Sequence, residues 1–332
     1  MNDYQRYLAD EFIEDYQEGR LSRRDALKLI ASVTGSMVMA SSMLAACAPA
    51  GSPGGTPTSA LTLEAATPVT GITPAAETPL SGTTPELEPP VMAEGTVSPD
   101  DTDIQAGDIQ FSGEGATLNG YLARPASAGT PPVVLVCHEN RGLTEHIKDV
   151  TRRLAKAGYA ALAVDLLSRQ GGTEAVGADN VPGVLGQTPE DQFIQDFMSG
   201  WRYMQEQPDT NAERVGMVGF CFGGGVTWRM ATHMPELNAA VPFYGPHPPV
   251  EDVPGIQAAV LAIYAERDTR INQGIPAIEQ AMQENGKIYE KVVYPNTDHA
   301  FHNDTGSRYN AEAATDAWSR TLEWFNRYIR NA

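Results

Sequence analysis

The chain has 332 residues, and its 23 basic and 42 acidic side chains give a formal net charge of −19. Hydrophobic residues make up 42% of it, which is enough for a core and excludes a wholly disordered chain. The charge excludes non-specific binding to nucleic acid or to an anionic membrane face. Three cysteines in a chain of this length cannot form a disulfide framework.

The first 47 residues have the features of an export signal. Residues 22–28 (SRRDALK) resemble the twin-arginine signal, with Ala26 where that pattern has Phe. A weakly apolar stretch follows and ends at residues 44–47 (LAAC), which resemble the lipobox of bacterial lipoproteins. The resemblance implies that Cys47 is lipidated after cleavage, so the protein would be extracytoplasmic and would touch a membrane only through this anchor. A cleaved signal peptide with an incidental cysteine and an uncleaved anchor are the alternatives.

Residues 48–108 have the composition of a spacer. They carry nine acidic side chains and no basic one, and they hold ten of the 24 prolines of the chain. They show no apolar periodicity, so we predict a disordered, extended and self-repelling tether. About half of the net charge therefore lies outside the folded part, and residues 109–332 form an ordinary, mildly acidic domain.

From residue 109 onward, strand-like segments alternate with helical ones. After an opening pair of β-like segments, the strand candidates are apolar on both faces, as a parallel sheet covered by helices requires. This pattern predicts a single α/β domain over residues 109–332, with one mostly parallel sheet flanked by helices. The predicted strands cover residues 109–112, 116–124, 133–137, 160–164, 215–220, 239–244, 259–264 and 289–294, and the predicted helices cover residues 145–156, 190–207, 224–233, 275–284 and 308–329.

Residues 219–223 (GFCFG) form the sharpest motif of the chain. They lie where a predicted strand ends and a helix begins, and they have the G-x-S-x-G form of a nucleophile elbow with sulfur in place of oxygen. Glycines flank the nucleophile because larger side chains two residues away would collide in so tight a turn. Cys221 would face a helix N-terminus, which favours the reactive thiolate. The alternative is a buried structural cysteine in a tight turn.

Two partners follow this cysteine in the order that the elbow requires, an acid and then a histidine, each just after a strand. His299 would be the base that deprotonates Cys221, and Asp268 would orient the imidazole and stabilise its charged form. Glu266 and Asp298 are rival acids, but neither has the position after a strand that Asp268 has.

The other histidines are weaker candidates. His146 and His233 fall on predicted helices, and His247 lies in a proline-rich loop. His302 follows His299 by three residues, a spacing that can bind a metal on a helix, but a third ligand is missing. We therefore expect neither a metal nor another cofactor.

Five motifs occur in a characteristic order along the domain. They are residues 137–142 (CHENRG), 158–160 (GYA) leading to 165–167 (DLL), 219–224 (GFCFGG), 267–268 (RD) and 299–301 (HAF). With these motifs, the stretch from residue 109 to residue 330 resembles dienelactone hydrolase, a member of the α/β-hydrolase superfamily. The resemblance implies an α/β-hydrolase fold and hydrolysis of carboxylic esters or lactones, as in carboxymethylenebutenolidase.

The resemblance also implies roles for particular residues. The catalytic triad of the family would be Cys221, Asp268 and His299. Its additional glutamate, which contacts the resting thiol and takes part in activating it, would be Glu139. The alternative for that residue is a carboxylate at a strand end, satisfied by Arg141 or by the backbone.

The backbone N–H groups of Phe222 and Asn140 would form the oxyanion hole. The family binds its substrate carboxylate with arginines, one of them shortly after the catalytic histidine. Here residues 302–304 read HND, and the next arginine is Arg308. We therefore expect a small neutral or weakly charged ester or lactone, unless Arg141 or Arg308 has taken over the role.

Two functions from different classes follow. The first is an exported, metal-independent hydrolase of esters or lactones that forms a thioester on Cys221. The second is a catalytically inactive ligand-binding or scaffold lipoprotein on the same fold. A disulfide between Cys137 and Cys221, which an oxidising compartment permits, is a further possibility.

Overall fold

A computed structural model describes residues 1–46, 95–127 and 129–331. Eight strands form one sheet in the order β1-β2-β4-β3-β5-β6-β7-β8. Strand β2 pairs antiparallel with β1 and β4, and all other pairs are parallel. The predicted mostly parallel sheet is thereby confirmed. The strands are β1 (Ile104–Gly113), β2 (Ala116–Pro125), β3 (Pro132–Cys137), β4 (Ala160–Val164), β5 (Asn211–Phe220), β6 (Ala239–Phe243), β7 (Ala259–Ala265) and β8 (Tyr289–Tyr294).

Helices flank this sheet, and their packing explains the apolar runs. Every residue of strands β3, β4, β6 and β7 is buried, so both faces of the central sheet are covered. The helices are α1 (Asp3–Gln17), α2 (Arg23–Thr34), α3 (Met37–Ala46), α4 (Glu145–Lys156), α5 (Thr173–Val176), α6 (Val181–Gln187), α7 (Glu190–Gln205), α8 (Phe222–His233), α9 (Thr269–Asn272), α10 (Ile275–Glu284) and α11 (Ala311–Phe325), with 3-10 turns at Ser168–Gln170 and Val250–Gly255 and a π-helical turn at Asn326–Arg330.

The folded domain begins earlier than residue 109. Strand β1 already starts at Ile104. Before it, the backbone N–H of Val97 donates a hydrogen bond of 2.7 Å to Asp149 on helix α4. Lys156 of the same helix binds Asp101 at 2.7 Å. The acidic residues that made this stretch resemble a spacer are thus partners of basic side chains on helix α4, which corrects the predicted boundary.

Helices α1–α3 belong to the same compact unit as the sheet. Helix α1 begins with a capping box, in which Asn2 accepts from the Gln5 N–H at 2.7 Å and the Gln5 side chain accepts from the Asn2 N–H at 3.0 Å. The apolar side chains of Tyr4, Leu8 and Phe12 follow at intervals of four residues and are buried. The segment that the twin arginines predict to be an export signal is thus packed against the domain.

Two predictions fall beyond the part of the chain that the structure describes. Cys47, the proposed lipidation site, and most of the predicted tether lie between residues 46 and 95. Within the described ranges, no helix combines the length and the hydropathy needed to cross a membrane.

Candidate active site

Cys221 lies in the sharp turn between strand β5 and helix α8. Its φ of 58° and ψ of −120° place a non-glycine residue in a strained region of backbone space. A Cβ on Gly219 would come within 2.2 Å of the Gly223 carbonyl oxygen, and one on Gly223 within 2.5 Å of the His138 carbonyl oxygen. The two glycines are therefore required by backbone packing, and the predicted elbow is present.

His299 and Asp268 meet on the loops that follow strands β8 and β7. The Nδ1 atom of His299 lies 2.5 Å from Oδ2 of Asp268, and both side chains are buried. The other carboxylate oxygen of Asp268 accepts from the backbone N–H of Ile271 at 3.2 Å, which fixes the carboxylate at the start of helix α9. The structure thus brings the predicted histidine and its predicted acid together.

The two rival acids have other partners. Glu266 accepts a hydrogen bond of 2.7 Å from the backbone N–H of Asn296. Asp298 lies 3.5 Å from the guanidinium of Arg267, and both of these side chains are largely exposed. The geometry therefore favours Asp268 as the acid that orients the imidazole.

Charge and burial set the protonation of this pair. Burial alone would lower the pKa of His299, but the nearby Asp268 and Cys221 raise this pKa to about 10. Burial opposes ionisation of Asp268 as well, yet the imidazolium, Arg270 and the hydrogen bond from Ile271 hold its pKa below the usual value. The Asp268 carboxylate and the protonated His299 therefore form a buried ion pair at neutral pH.

Cys221 has two further neighbours, both on helix α1. The phenol oxygen of Tyr7 lies 3.3 Å from Sγ of Cys221. The carboxylate oxygens of Glu11 lie 3.7 and 3.8 Å from the same sulfur. Burial and the charge of Glu11 raise the pKa of the Cys221 thiol, although His299 works in the opposite direction. In this arrangement the thiol form of Cys221 is favoured.

Sequence reasoning missed Tyr7 and Glu11 because the segment that carries them was excluded from the fold. A usable signal was present. Tyr7, Glu11 and Asp15 follow one another at intervals of four residues and share one face of a helix whose neighbouring positions are apolar. A cleavable leader needs no such amphipathic helix before its twin arginines.

Glu139 is buried at the site, but its recorded partner is another residue. Its Oε2 atom accepts a hydrogen bond of 2.6 Å from the side chain of Asn303. The family resemblance predicts that Glu139 contacts the thiol of Cys221. In the structure, the carboxylate in hydrogen-bonding contact with this thiol is that of Glu11. The charge of Glu139 nevertheless raises the pKa of Cys221, after burial and Glu11, so it lies close to the nucleophile.

The predicted oxyanion-hole residues flank the nucleophile. Phe222 is the first residue of helix α8, where backbone N–H groups have no intrahelical acceptor. Asn140 follows strand β3, and its side-chain amide donates a hydrogen bond of 2.9 Å to Glu11. Both backbone positions are thus at the carboxyl edge of the sheet, beside the sulfur.

A cavity of about 490 Å³ opens beside Cys221 between the N-terminal helices and the domain. Arg141 is exposed at its rim. Arg308 lies deeper, 3.6 Å from Asp15 of helix α1, and its charge interacts with those of Glu11, Cys221 and Glu139. Of the two predicted arginines, Arg308 is the one that reaches the catalytic groups. The lining includes Glu11, Asp15 and Lys28 from the N-terminal helices and Glu139, Cys221, His299 and Arg308 from the domain.

His302 belongs to the aromatic packing beneath the site. Its ring stacks on Phe220 with centroids 5.0 Å apart, and burial holds its pKa well below the usual value. His146 on helix α4 binds Asp304 at 2.9 Å. In the described part of the chain these two histidines have packing and hydrogen-bonding roles.

Cys137 and Cys221 are both free and buried. Burial and the neighbouring Cys221 raise the pKa of Cys137, so this thiol is a poor nucleophile. The structure therefore does not contain the disulfide that the sequence left open.

The strand order, with Cys221 after β5, Asp268 after β7 and His299 after β8, is that of the α/β-hydrolase fold. Residues 118–329 match the profile of the dienelactone hydrolase family. The chain belongs to that family and is a hydrolase that acts on ester or lactone bonds.

Individual proteins show the same relationship. The chain is 36% identical to a "Putative carboxymethylenebutenolidase" of Methylorubrum extorquens, with 72% of this chain and 86% of that protein covered. It is 34% identical to a protein of the same name from Escherichia coli K12, with 70% and 90% covered. The crystal structure of a "Putative Dienelactone Hydrolase" from Klebsiella pneumoniae superposes with a TM-score of 0.64 at 34% identity, covering 68% of this chain and 99% of that one.

Proposed function

We propose that the protein hydrolyses small carboxylic esters or lactones through a thioester on Cys221. The observation that carries this proposal is the hydrogen bond of 2.5 Å between His299 and Asp268, on loops adjacent to the strained turn of the nucleophile. Retention of the whole triad in one buried cluster gives no support to the inactive scaffold. The names of the relatives and the cavity of about 490 Å³ agree with a small substrate.

The first half of the reaction acylates the enzyme. Catalysis starts once the pair of His299 and Cys221 has lost one proton to solvent. The neutral imidazole of His299 then accepts the Sγ proton of Cys221, and the thiolate attacks the carbonyl carbon of the substrate. The negative charge moves to the carbonyl oxygen, which the backbone N–H groups of Phe222 and Asn140 stabilise. The tetrahedral intermediate then collapses, the carbon–oxygen bond of the ester breaks, and the imidazolium gives its proton to the leaving alkoxide.

The second half returns the free enzyme. His299 takes a proton from water, the hydroxide attacks the thioester, and a second oxyanion forms in the same hole. Its collapse breaks the carbon–sulfur bond and releases a carboxylic acid, while the proton returns to Sγ. Throughout, Asp268 keeps the imidazole in the tautomer with its free nitrogen towards the sulfur and stabilises the imidazolium.

The test is an activity screen of the purified full chain with activated esters and simple lactones. Cys221→Ala should lower turnover by at least about 10³-fold, because the nucleophile is gone. Cys137→Ala is the matched control, since it removes the other described buried cysteine, which has no part in the proposed reaction, and it should keep most of the activity. A chelator is included so that a metal ion bound to the thiol cannot inhibit the enzyme and be mistaken for lack of activity. The proposal fails if Cys221→Ala is as active as wild type.

We also propose export and lipid anchoring at Cys47. Arg23 and Arg24 support this, because both are exposed at the start of helix α2 and accessible to a receptor. The test is incorporation of labelled palmitate in bacterial cells, with Cys47→Ala as control. Lysine substitution of both arginines should block translocation, and label on the Cys47→Ala chain would contradict the assignment.

A further inference from the structure

Helix α1 lies directly over the nucleophile. Tyr7 and Glu11 contact Sγ at 3.3 Å and 3.7 Å, and Cys221 is only 3% exposed. A substrate carbonyl carbon has to come within about 3.5 Å of the sulfur before it reacts. The side chains of helix α1 already stand at that distance.

The helix is held there by specific contacts along its length. Near its start, the Tyr4 ring packs against Phe222, with centroids 4.9 Å apart. In the middle, Arg270 of the domain lies over the Tyr7 ring, 4.5 Å from the centroid, and also binds Glu14 at 3.3 Å. Leu8 between them is fully buried. The helix therefore has a built binding surface on the hydrolase domain.

The charge of Glu11 opposes catalysis. Its carboxylate accepts a hydrogen bond from the side chain of Asn140, whose backbone N–H is the proposed oxyanion donor. A second negative charge that developed on a substrate oxygen at this point would be repelled. One oxygen of this carboxylate also lies within 4.8 Å of a ring nitrogen of His299, so Glu11 stands next to both His299 and Cys221.

Further along the helix, Asp15 lies 3.6 Å from Arg308. Arg308 is the cationic side chain of the cavity whose charge reaches Cys221 and Glu139. Acidic and phenolic side chains of helix α1 thus contact three groups of the site: Cys221, Asn140 and Arg308.

We infer that helix α1 is an intramolecular inhibitor, which covers Cys221 with Tyr7 and Glu11 and so keeps substrates away from the sulfur. The inference rests on the proposed function. Cleavage before Cys47 would separate helices α1–α3 from the domain, so export would remove the covalent link that keeps the inhibitor in place.

The experiment measures two quantities on the full chain in a Cys47→Ser background, which keeps the N-terminal helices attached. One is the rate of Cys221 alkylation by iodoacetamide, located by peptide mass spectrometry. The other is turnover of an activated ester. Glu11→Gln keeps the shape of the side chain and removes its charge, and Leu8→Asp weakens helix docking. Glu18→Gln is the matched control, because Glu18 is exposed and pairs with Arg20 away from the site.

We expect Cys221 to be alkylated severalfold faster than in wild type at pH 7 in both Glu11→Gln and Leu8→Asp, because the first removes a negative charge that disfavours the thiolate and the second uncovers the sulfur. Ester turnover should rise with them, and Glu18→Gln should match wild type. An unchanged alkylation rate in both variants overturns the inference. Slower ester turnover with an unchanged melting temperature also overturns it, because helix α1 would then contribute to catalysis. Faster alkylation with no turnover in any variant, wild type included, supports the inhibitory contact and rejects the proposed hydrolase function instead.

Discussion

Glu11 and Cys221 are 210 positions apart in the chain, and their side chains are 3.7 Å apart in the structure. Glu11 lies outside residues 118–329, the part that matches the family profile. The environment of the nucleophile therefore cannot be derived from the hydrolase domain alone. The triad proposed for the reaction lies within the matched region, while a helix from outside it supplies two of the side chains that contact the sulfur.

The contact between His299 and Asp268 gives the first prediction. Asp268→Asn removes the negative charge that orients the imidazole and stabilises its protonated form. We expect turnover of an activated ester to fall by about 10³–10⁴-fold with little change in KM. The pKa of His299, followed by NMR of the ring, should fall as well, since the carboxylate raises it.

Asp298→Asn is the matched control for this substitution. Asp298 is next to His299 in the chain, but its recorded partner is Arg267 at the surface. It should leave both turnover and the pKa of His299 unchanged. If the two substitutions were equally harmful, Asp268 would not be the orienting acid.

The raised pKa of His299 predicts a pH dependence of stability. In the unfolded chain this pKa is about 6.5, and in the folded protein it is about 10. The proton that the folded state holds therefore stabilises it fully below pH 6.5, and this contribution is lost as the pH rises towards 10. Urea unfolding of wild type should lose up to about 1.4 kcal/mol per pH unit in this window relative to His299→Gln. A constant difference between the two proteins from pH 6 to pH 10 would contradict the assignment.

The sheet and the triad could be predicted because their signals are local. The strand at residues 133–137 is a short run of apolar residues, and Cys221 stands between glycines that only a tight turn requires. The chain order then left few candidates for the acid and the base, among which Asp268 and His299 proved to be in contact.

The contacts of helix α1 could not be predicted in the same way. Tyr7 and Glu11 mark one face of an amphipathic helix, but periodicity does not say which surface that face covers. The twin arginines that follow also explained the whole segment as an export signal, so no contact with the domain was expected. Similarly, the acidic residues before strand β1 predicted a spacer, because composition does not show whether an acid faces solvent or, as Asp101 does with Lys156, forms an ion pair.

The elbow gives a prediction about stability. A Cβ on Gly219 would lie 2.2 Å from a backbone oxygen, which cannot be relieved by moving a side chain. Gly219→Ala should therefore lower the free energy of unfolding by about 3 kcal/mol or more. Gly107→Ala in strand β1 is the control, because nothing lies within 4 Å of its added methyl group, and it should be nearly neutral. Equal urea midpoints for the two variants would show that the turn is not constrained.

The two candidate arginines give a prediction about substrates. Arg308 lies beside the catalytic groups and Arg141 at the exposed rim, so Arg308→Gln should raise KM for esters that carry a carboxylate by about tenfold or more. It should leave KM for neutral esters nearly unchanged, and Arg141→Gln should have the smaller effect on both. The measurement is KM for a matched pair of charged and neutral esters. A larger effect of Arg141→Gln would reverse the assignment.

The last prediction follows from the covalent link between helix α1 and the domain. Groups joined in one chain meet at an effective concentration of roughly millimolar, whereas a separated peptide must compete with dilution. A protease site inserted after residue 47 lets the full chain be cut in place, leaving both pieces in the sample. Alkylation of Cys221 in the cut chain should then become faster as the protein is diluted, because the helix dissociates, while the uncut chain should react at one rate at every concentration. A rate that is independent of dilution in both samples, with both pieces still folded by circular dichroism, would mean that the helix does not control access to the thiol.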